Sequence, residues 1–381
     1  MSGGPLKKKI THIFLAGGEQ WCSELVDYYQ SGGQASSLFE HAFVSGEQDF
    51  ISNSAIYHDS RIDAISSRKM NSLNLFSDYA KQSDLLFLYN NILPSLDRAR
   101  LPMEVVKKTV WLSFGSDLDC ERNSGWKGSS ITSCLYHALA LPLIESVSRF
   151  KMSRLRAVAV NDVSYDASIV RRDYGDVPLY GFSYLKNDAI TSIPKSSNTQ
   201  RPSSEVRVLL GHHGYPGINH LGMLRRLRKF AKDNMTVVIP LVYGDRTYIE
   251  KVKSFALSDF EGKVEIITTP MSYDSYAELL STIDIAIFDT DKNIAVGNIA
   301  ILCNYGKKIY TRKDGGIAKR LRMEGVQTYD SNSIGSMSFA DFASPVEHAE
   351  SGLMYCERLE TFLQQGEDRM RILLSELAED V

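Results

Sequence analysis

A chain of 381 residues with 43% apolar and 23% charged side chains is long enough for two ordinary domains and too apolar to be disordered. Its net charge of -3 argues against a protein whose main task is to coat nucleic acid. The five cysteines form no Cys-x-x-Cys pair, which fits buried thiols in a reducing compartment rather than a disulfide frame.

The N-terminus, MSGGPLKKKITHIFLAGG, sets lysines before an apolar run too short for a signal-peptide core, so a strand is expected there. No segment reaches the roughly 18 to 20 apolar residues that a bilayer span needs, so any membrane role is peripheral. Apolar runs predict strands within Thr11–Gly18, His41–Ser45, Asp84–Asn90, Thr109–Asp119, Ala157–Asp162 and Pro178–Tyr184. A second set falls within Val206–His213, Thr236–Gly244, Val264–Pro270, Ile283–Asp289 and Lys307–Arg312. Helical patterns lie between them, as in Glu19–Gln30, Gly222–Asp233, Asp245–Ser258 and Ser272–Thr282. Strands alternating with helices imply parallel sheets with crossover helices, and each half shows this independently. Asn187–Glu205 is rich in Ser and Pro and reads as a linker. The expectation is therefore α/β: one doubly wound domain over 1–195, a second over 196–345, a cleft between them, and a helical segment 346–381 returning to the first.

In such sheets ligands bind beyond the carboxyl ends of the strands, so the loops there carry the interest. Gly211-His212-His213-Gly214 follows a strand and precedes a helix. The glycines permit tight turns, and the helix aims its positive end at the loop. Three readings stay open: a metal held by His212, His213 and His220, a phosphate or sugar contact, or a plain turn. Val296, Gly297 and Asn298 open an apolar helix, and their backbone N–H groups form an anion site or simply a helix start. Asp117 and Asp119 end a strand as Asp-x-Asp, suited to a divalent cation, a general base or an N-cap. Asp289 and Asp291 repeat the pattern with the same ambiguity. Glu19, after Gly17-Gly18, is a second candidate base or an ordinary first-turn acid. Basic runs at Arg149, Lys151, Arg154 and Arg156, and at Arg225, Arg226, Arg228, Lys229 and Lys232, are solvated faces or contacts to anionic lipid.

Taken in order, FGSDLD, VLLGHHGYPGINHL, VVIPLVYGDRTYIEKVKSFAL, IITTPMSYDSYAELLSTIDIAIF and GNIAILCNYGKKIYTR resemble one family. It is the TDP-N-acetylfucosamine:lipid II N-acetylfucosaminyltransferases, the 4-acetamido-4,6-dideoxygalactose transferases. The matching stretch runs from Trp111 to Arg312. The resemblance implies a GT-B architecture, two Rossmann-like domains facing each other across a cleft, with the donor on the second domain and the acceptor on the first. It implies an inverting transfer of a deoxyamino sugar from a dTDP-sugar to a saccharide acceptor linked to a polyprenyl diphosphate. The setting would be bacterial surface polysaccharide (O-antigen-type) synthesis at the cytoplasmic face of the membrane, without nucleic acid. The chain departs from the family where it reads GHHGY rather than Gly-Asn-Ser-Gly-Asp, and NIAVGN rather than Gln-x-Gly-x-Gly.

On that resemblance the diphosphate would be held without a metal cofactor by Val296, Gly297 and Asn298, with Gly211, His212, His213 and Gly214 on the facing loop. Tyr243 would pack on base or sugar, and thymine would meet backbone groups at Pro270, Met271 and Ser272. Asp117 is the first choice of catalytic base, followed by Glu19 and Asp119. Other readings are a GT-B transferase using a UDP- or GDP-sugar, a nucleotide-sugar epimerase of the same build, and a non-catalytic binding protein of polysaccharide assembly.

Overall fold

The computed structural model describes residues 7–14, 22–30, 36–46, 62–65, 73–90, 93–115, 117–118, 140–183 and 205–379. The chain forms two compact units, Met1–Tyr184 with Gln365–Val381, and Leu185–Gln364.

In the first unit the strands are β1 (Lys8–Phe14), β2 (Phe39–Gly46), β3 (Ile62–Ile65), β4 (Leu85–Tyr89), β5 (Thr109–Ser113), β6 (Ala157–Val160) and β7 (Leu179–Gly181). They make one parallel sheet in the order β3-β2-β1-β4-β5-β6-β7. Helices α1 (Cys22–Gln30), α2 (Leu73–Gln82), α3 (Ser95–Arg100), α4 (Met103–Lys108), α5 (Leu141–Met152) and α6 (Tyr165–Tyr174) belong to the same unit. Every residue of β4, β5 and β6 is buried, as a sheet covered on both faces requires. Side chains alternate between two cores: Leu86, Leu88, Trp111 and Val158 join one, and Leu85, Phe87, Val110 and Ala157 the other.

A polar chain runs through the second of these cores. His41 Nε2–H donates to the Ser36 carbonyl at 3.0 Å, which leaves His41 Nδ1 to accept from His12 Nε2–H at 2.8 Å. His12 Nδ1 then faces the Tyr89 hydroxyl at 2.9 Å, itself 3.0 Å from that of Tyr29. Burial and the neighbouring His41 hold the His12 imidazole well below its ordinary value, so both rings are neutral in the fold.

The second unit repeats the plan with β8 (Val206–Leu210), β9 (Met235–Pro240), β10 (Val264–Ile267), β11 (Ile285–Phe288), β12 (Lys308–Thr311) and β13 (Tyr329–Asp330). Their order is β10-β9-β8-β11-β12-β13, again parallel. Its helices are α7 (His220–Leu227), α8 (Arg246–Asp259), α9 (Tyr273–Ser281), α10 (Val296–Asn304), α11 (Gly316–Met323), α12 (Phe339–Ala343) and α13 (Ala349–Gln364). Local chemistry starts several of them: Asp245 caps α8 by accepting from Tyr248 N–H, and Ser338 and Asp341 form a reciprocal capping box on α12.

The C-terminal stretch expected to return as one piece divides at Gln365. Helix α13 stays with the second unit, where Tyr355, Cys356, Phe362 and Leu363 join the core around Cys303. Only α14 (Gly366–Glu379) goes back, burying Met370, Leu373, Leu374 and Leu377 beside Ile10, Phe14 and Phe87. That i, i+3, i+4, i+7 spacing puts the four on one stripe. Among the described residues no helix is long and apolar enough to cross a membrane.

Candidate functional site

The order of the second sheet fixes where a ligand fits. Chain connections from β8 leave toward β9 and those from β11 toward β12, so the crevice at their carboxyl ends is the topological switch point. Two of the loops singled out from the sequence, after β8 and after β11, emerge there side by side.

The loop after β8 divides its labour. Gly211 sits at φ 70°, and its N–H donates to the Ile287 carbonyl at 2.9 Å. A β-carbon on it would lie 2.5 Å from His220 Nε2 and 2.7 Å from Ile218 Cγ2. Gly214 pairs with the β9 loop, donating to the Tyr243 carbonyl at 2.7 Å, and a β-carbon there would strike Ile249. Both glycines are thus needed for packing within the protein. The side chains between them are half-buried. The His212 and His213 rings lie 4.0 Å apart by centroid, and His213 is 5.0 Å from Tyr215 and 5.5 Å from Tyr243. His212 is 6.0 Å from Phe288, the last residue of β11.

Nδ1 of His212, Nδ1 of His213 and both ring nitrogens of His220 are buried without a hydrogen-bond partner. Burial, aided by the neighbouring imidazoles, lowers His212 well below its ordinary value and His220 to about 3. Burial chiefly, with nearby Lys292 adding to it, brings His213 to about 4. The unfolded chain takes up protons at the ordinary imidazole value, near 6.5, before the folded one does. Stability is therefore fully present above about pH 6.5 and is lost as pH falls toward the folded values. We expect the melting temperature to fall between pH 6.5 and 4, and His220→Gln to flatten that slope; an invariant melting temperature over this window would contradict the neutral assignment. Among the described residues no three His, Cys, Asp or Glu side chains converge as metal ligands would, so His212, His213 and His220 do not form a cation cage.

The Asp-x-Asp after β11 is an arginine clamp. Asp289 is 1% exposed and accepts from Ser331 Oγ at 2.6 Å, Asn219 Nδ2 at 2.5 Å and Arg312 Nη2 at 3.2 Å. Arg312 Nη1 reaches Asp291 at 2.7 Å. Burial pushes the Asp289 carboxyl up, but the three donors and the guanidinium charge outweigh it and hold it below the usual carboxylate range. Asn219 is left-handed at φ 56°, so this bond locks the turn into α7. Nothing in a single Asp-x-Asp announces partners 70, 23 and 42 residues away.

The second anion element is α10. Its N-cap, Ala295, is left-handed at φ 60°, and no side chain caps the helix. A β-carbon on Gly297 would meet nothing within 4 Å. Asn298 Nδ2 donates to the Tyr276 hydroxyl at 3.1 Å. Burial and the nearby Tyr243 push that hydroxyl up. Asn298 thus ties α10 to Tyr276 of α9, while Tyr243, 5.5 Å from His213, links the loops after β8 and β9. Tyr276 and Lys292 are missing from the residues picked out by sequence; the only signal was an aromatic in the first turn of α9 and a lysine in a strand-end loop. Pro270 and Met271 are exposed beyond β10. Ser272 spends its hydroxyl accepting from Ser275 N–H as the cap of α9, which leaves only its backbone for a ligand.

Asp117 is not a free base. It is 1% exposed, and its oxygens accept from Trp111 Nε1–H at 2.7 Å, Ser113 Oγ–H at 2.7 Å and Phe114 N–H at 3.1 Å. The carboxylate ties the end of β5 to its own loop. Asp117→Asn sets an amide donor among these donors, and an expected loss of about 1–3 kcal/mol should appear as a lower denaturation midpoint. Unchanged stability would return Asp117 to consideration as a base. Glu19 and Asp119 lie outside the described residues.

Three solved structures share the fold at low identity. Sucrose-phosphate synthase from Thermosynechococcus elongatus is 12% identical, with TM-score 0.63, over 98% of this chain and 100% of that one. The Anabaena protein HepE, solved with UDP-glucose, is 12% identical with TM-score 0.59 over 98% and 100%. A putative UDP-N-acetylglucosamine 2-epimerase from Listeria monocytogenes is 12% identical with TM-score 0.55 over 99% and 98%. A family profile described as 4-alpha-L-fucosyltransferase, glycosyl transferase group 56, matches residues 40–339. With that match covering most of the chain and both sheets in Rossmann order, the chain belongs to the 4-alpha-L-fucosyltransferase family of glycosyltransferases and has the GT-B fold.

Proposed function

We propose that the space enclosed by His213, Tyr243, Tyr276 and the start of α10 holds the diphosphate and sugar of a dTDP-linked deoxyamino sugar. In this reading the chain transfers that sugar, with inversion, to a lipid-linked saccharide in bacterial surface polysaccharide synthesis. The observation that supports it most is the uncapped start of α10, where a β-carbon on Gly297 would meet no protein atom and Asn298 bonds the Tyr276 hydroxyl. Backbone N–H groups at a helix start stabilise the negative charge that grows on the diphosphate as the anomeric carbon–oxygen bond breaks, with no metal required. The His213, Tyr215 and Tyr243 rings suit a 6-deoxy sugar, whose methyl group needs an apolar contact where a common hexose carries a hydroxyl. The family resemblance supports thymidine as the nucleoside. The acceptor hydroxyl attacks opposite the diphosphate and gives its proton to a carboxylate. With Asp117 engaged, Glu19 and Asp119 are the candidates for that step.

The test pairs calorimetric titration of dTDP, UDP and GDP with a transfer assay. We expect dTDP to bind most tightly, and Glu19→Gln or Asp119→Asn to lower turnover by about a hundredfold while sparing dTDP affinity. Preference for UDP or GDP would replace the donor. Conversion of a nucleotide sugar without any acceptor would replace the reaction with epimerisation.

A further inference from the structure

Helix α5 turns an apolar stripe outward. Leu143, Val147 and Phe150 are 67%, 38% and 55% exposed. Their i, i+4, i+7 spacing puts them on one face, while Ser148 and Met152 anchor the opposite side in the protein. Three large side chains left in water along one stripe are unusual on a surface helix, whose outer face is ordinarily polar.

The stripe carries a cationic margin. Between Leu141 and Arg156 the chain has Arg149, Lys151, Arg154 and Arg156 against one acid, Glu145. Arg149 flanks the stripe on one side, Lys151 on the other donates its ammonium to the Leu101 carbonyl at 2.5 Å, and the Arg154 guanidinium lies 5.3 Å from the centroid of the Phe150 ring at the stripe's end. This cluster sits on a protein whose overall charge is -3. An anionic plane would therefore attract this patch and repel the molecule as a whole, which orients it.

We propose that the outer face of α5 docks on an anionic lipid bilayer, with Leu143, Val147 and Phe150 entering the interface and the exposed Arg149 and Arg154 meeting lipid headgroups. The proposal deepens the reading above, on which its purpose rests: an enzyme whose acceptor is lipid-linked must meet that acceptor at a membrane surface. A second copy of the chain is a poor occupant. A two-fold contact sets the same patch on both partners, so Arg149 and Arg154 would confront their own copies, and three side chains fall short of the area a stable dimer needs.

The experiment is co-sedimentation of the full chain with vesicles of phosphatidylglycerol mixed with phosphatidylcholine, and with vesicles of phosphatidylcholine alone. The expected result is binding to the anionic vesicles only, weakened by added salt. The variant L143S/V147S/F150S should reduce it at least about tenfold while keeping the melting temperature and dTDP affinity. Binding by the triple variant equal to that of the parent would overturn the proposal, as would equal binding of the parent to both vesicle types or to neither. Sedimentation velocity without lipid adds a further check: self-association that the triple variant abolishes would give the face to a second copy. The donor reading fails separately, through absence of dTDP binding in the parent chain.

Discussion

Gly297→Leu is expected to weaken dTDP binding by about a hundredfold while leaving the fold at least as stable as before. The two halves of that outcome have separate causes. A β-carbon at Gly297 meets no protein atom within 4 Å, and the residue is not in the left-handed region, so the fold tolerates the side chain. Leucine is also a better helix former than glycine by about 0.8 kcal/mol, which should raise the denaturation midpoint slightly. The same side chain would occupy the space in which an anion meets the first N–H groups of α10. Losing one or two charge-assisted hydrogen bonds, together about 2.7 kcal/mol, corresponds to the hundredfold. Calorimetry and denaturation on the same preparation read both halves. Unchanged dTDP affinity would remove α10 from the donor site.

Asp289→Ala should be costly in both measurements. Removing the carboxylate strands the wholly buried Ser331 hydroxyl and the Asn219 amide, and leaves Arg312 its exposed contact to Asp291 and a long one, 3.5 Å, to the carbonyl of residue 289. Arg312 is itself 32% exposed and partly screened by water, so most of the loss comes from the stranded donors. We expect about 3 kcal/mol off the unfolding free energy. Donor binding should fall as well, because Asn219 sets the turn that follows His212 and His213. Asp289→Asn keeps one acceptor oxygen and should recover part of the stability. An Asp289→Ala protein as stable as the parent would show that the clamp is not what orders the loop.

Sequence patterning located every interior strand of both sheets. The two it missed, Ile62–Ile65 and Tyr329–Asp330, are edge strands of four and two residues, too short to show a period. Loop positions were legible for the same reason the strands were, since strand ends define the loops. The tasks of individual loop residues were not. Asp117 and Asp289 looked alike as strand-end acids, and both proved to be buried acceptors. The donors to Asp117 lie within six residues, at Trp111 and Ser113, yet nothing in the spacing says that the carboxylate turns toward them. Gly211 and Gly214 were correctly placed at a tight turn, but the neighbours that demand a missing β-carbon, His220, Ile218 and Ile249, are settled only by tertiary packing. Helical periodicity ran on through the C-terminal stretch, and Gly366, where α14 begins, does not by itself say that the chain changes unit there.

Helix α14 has a consequence for how the protein is made. The first unit's core includes Met370, Leu373, Leu374 and Leu377, which leave the ribosome only after the whole of Leu185–Gln364. Leu185–Gln364 is contiguous and complete before them, so the later-encoded half should reach its native form first, inverting the usual order of vectorial folding. Until α14 emerges, the apolar surface around Ile10, Phe14 and Phe87 waits uncovered, and the nascent N-terminal half is the part most in need of a chaperone.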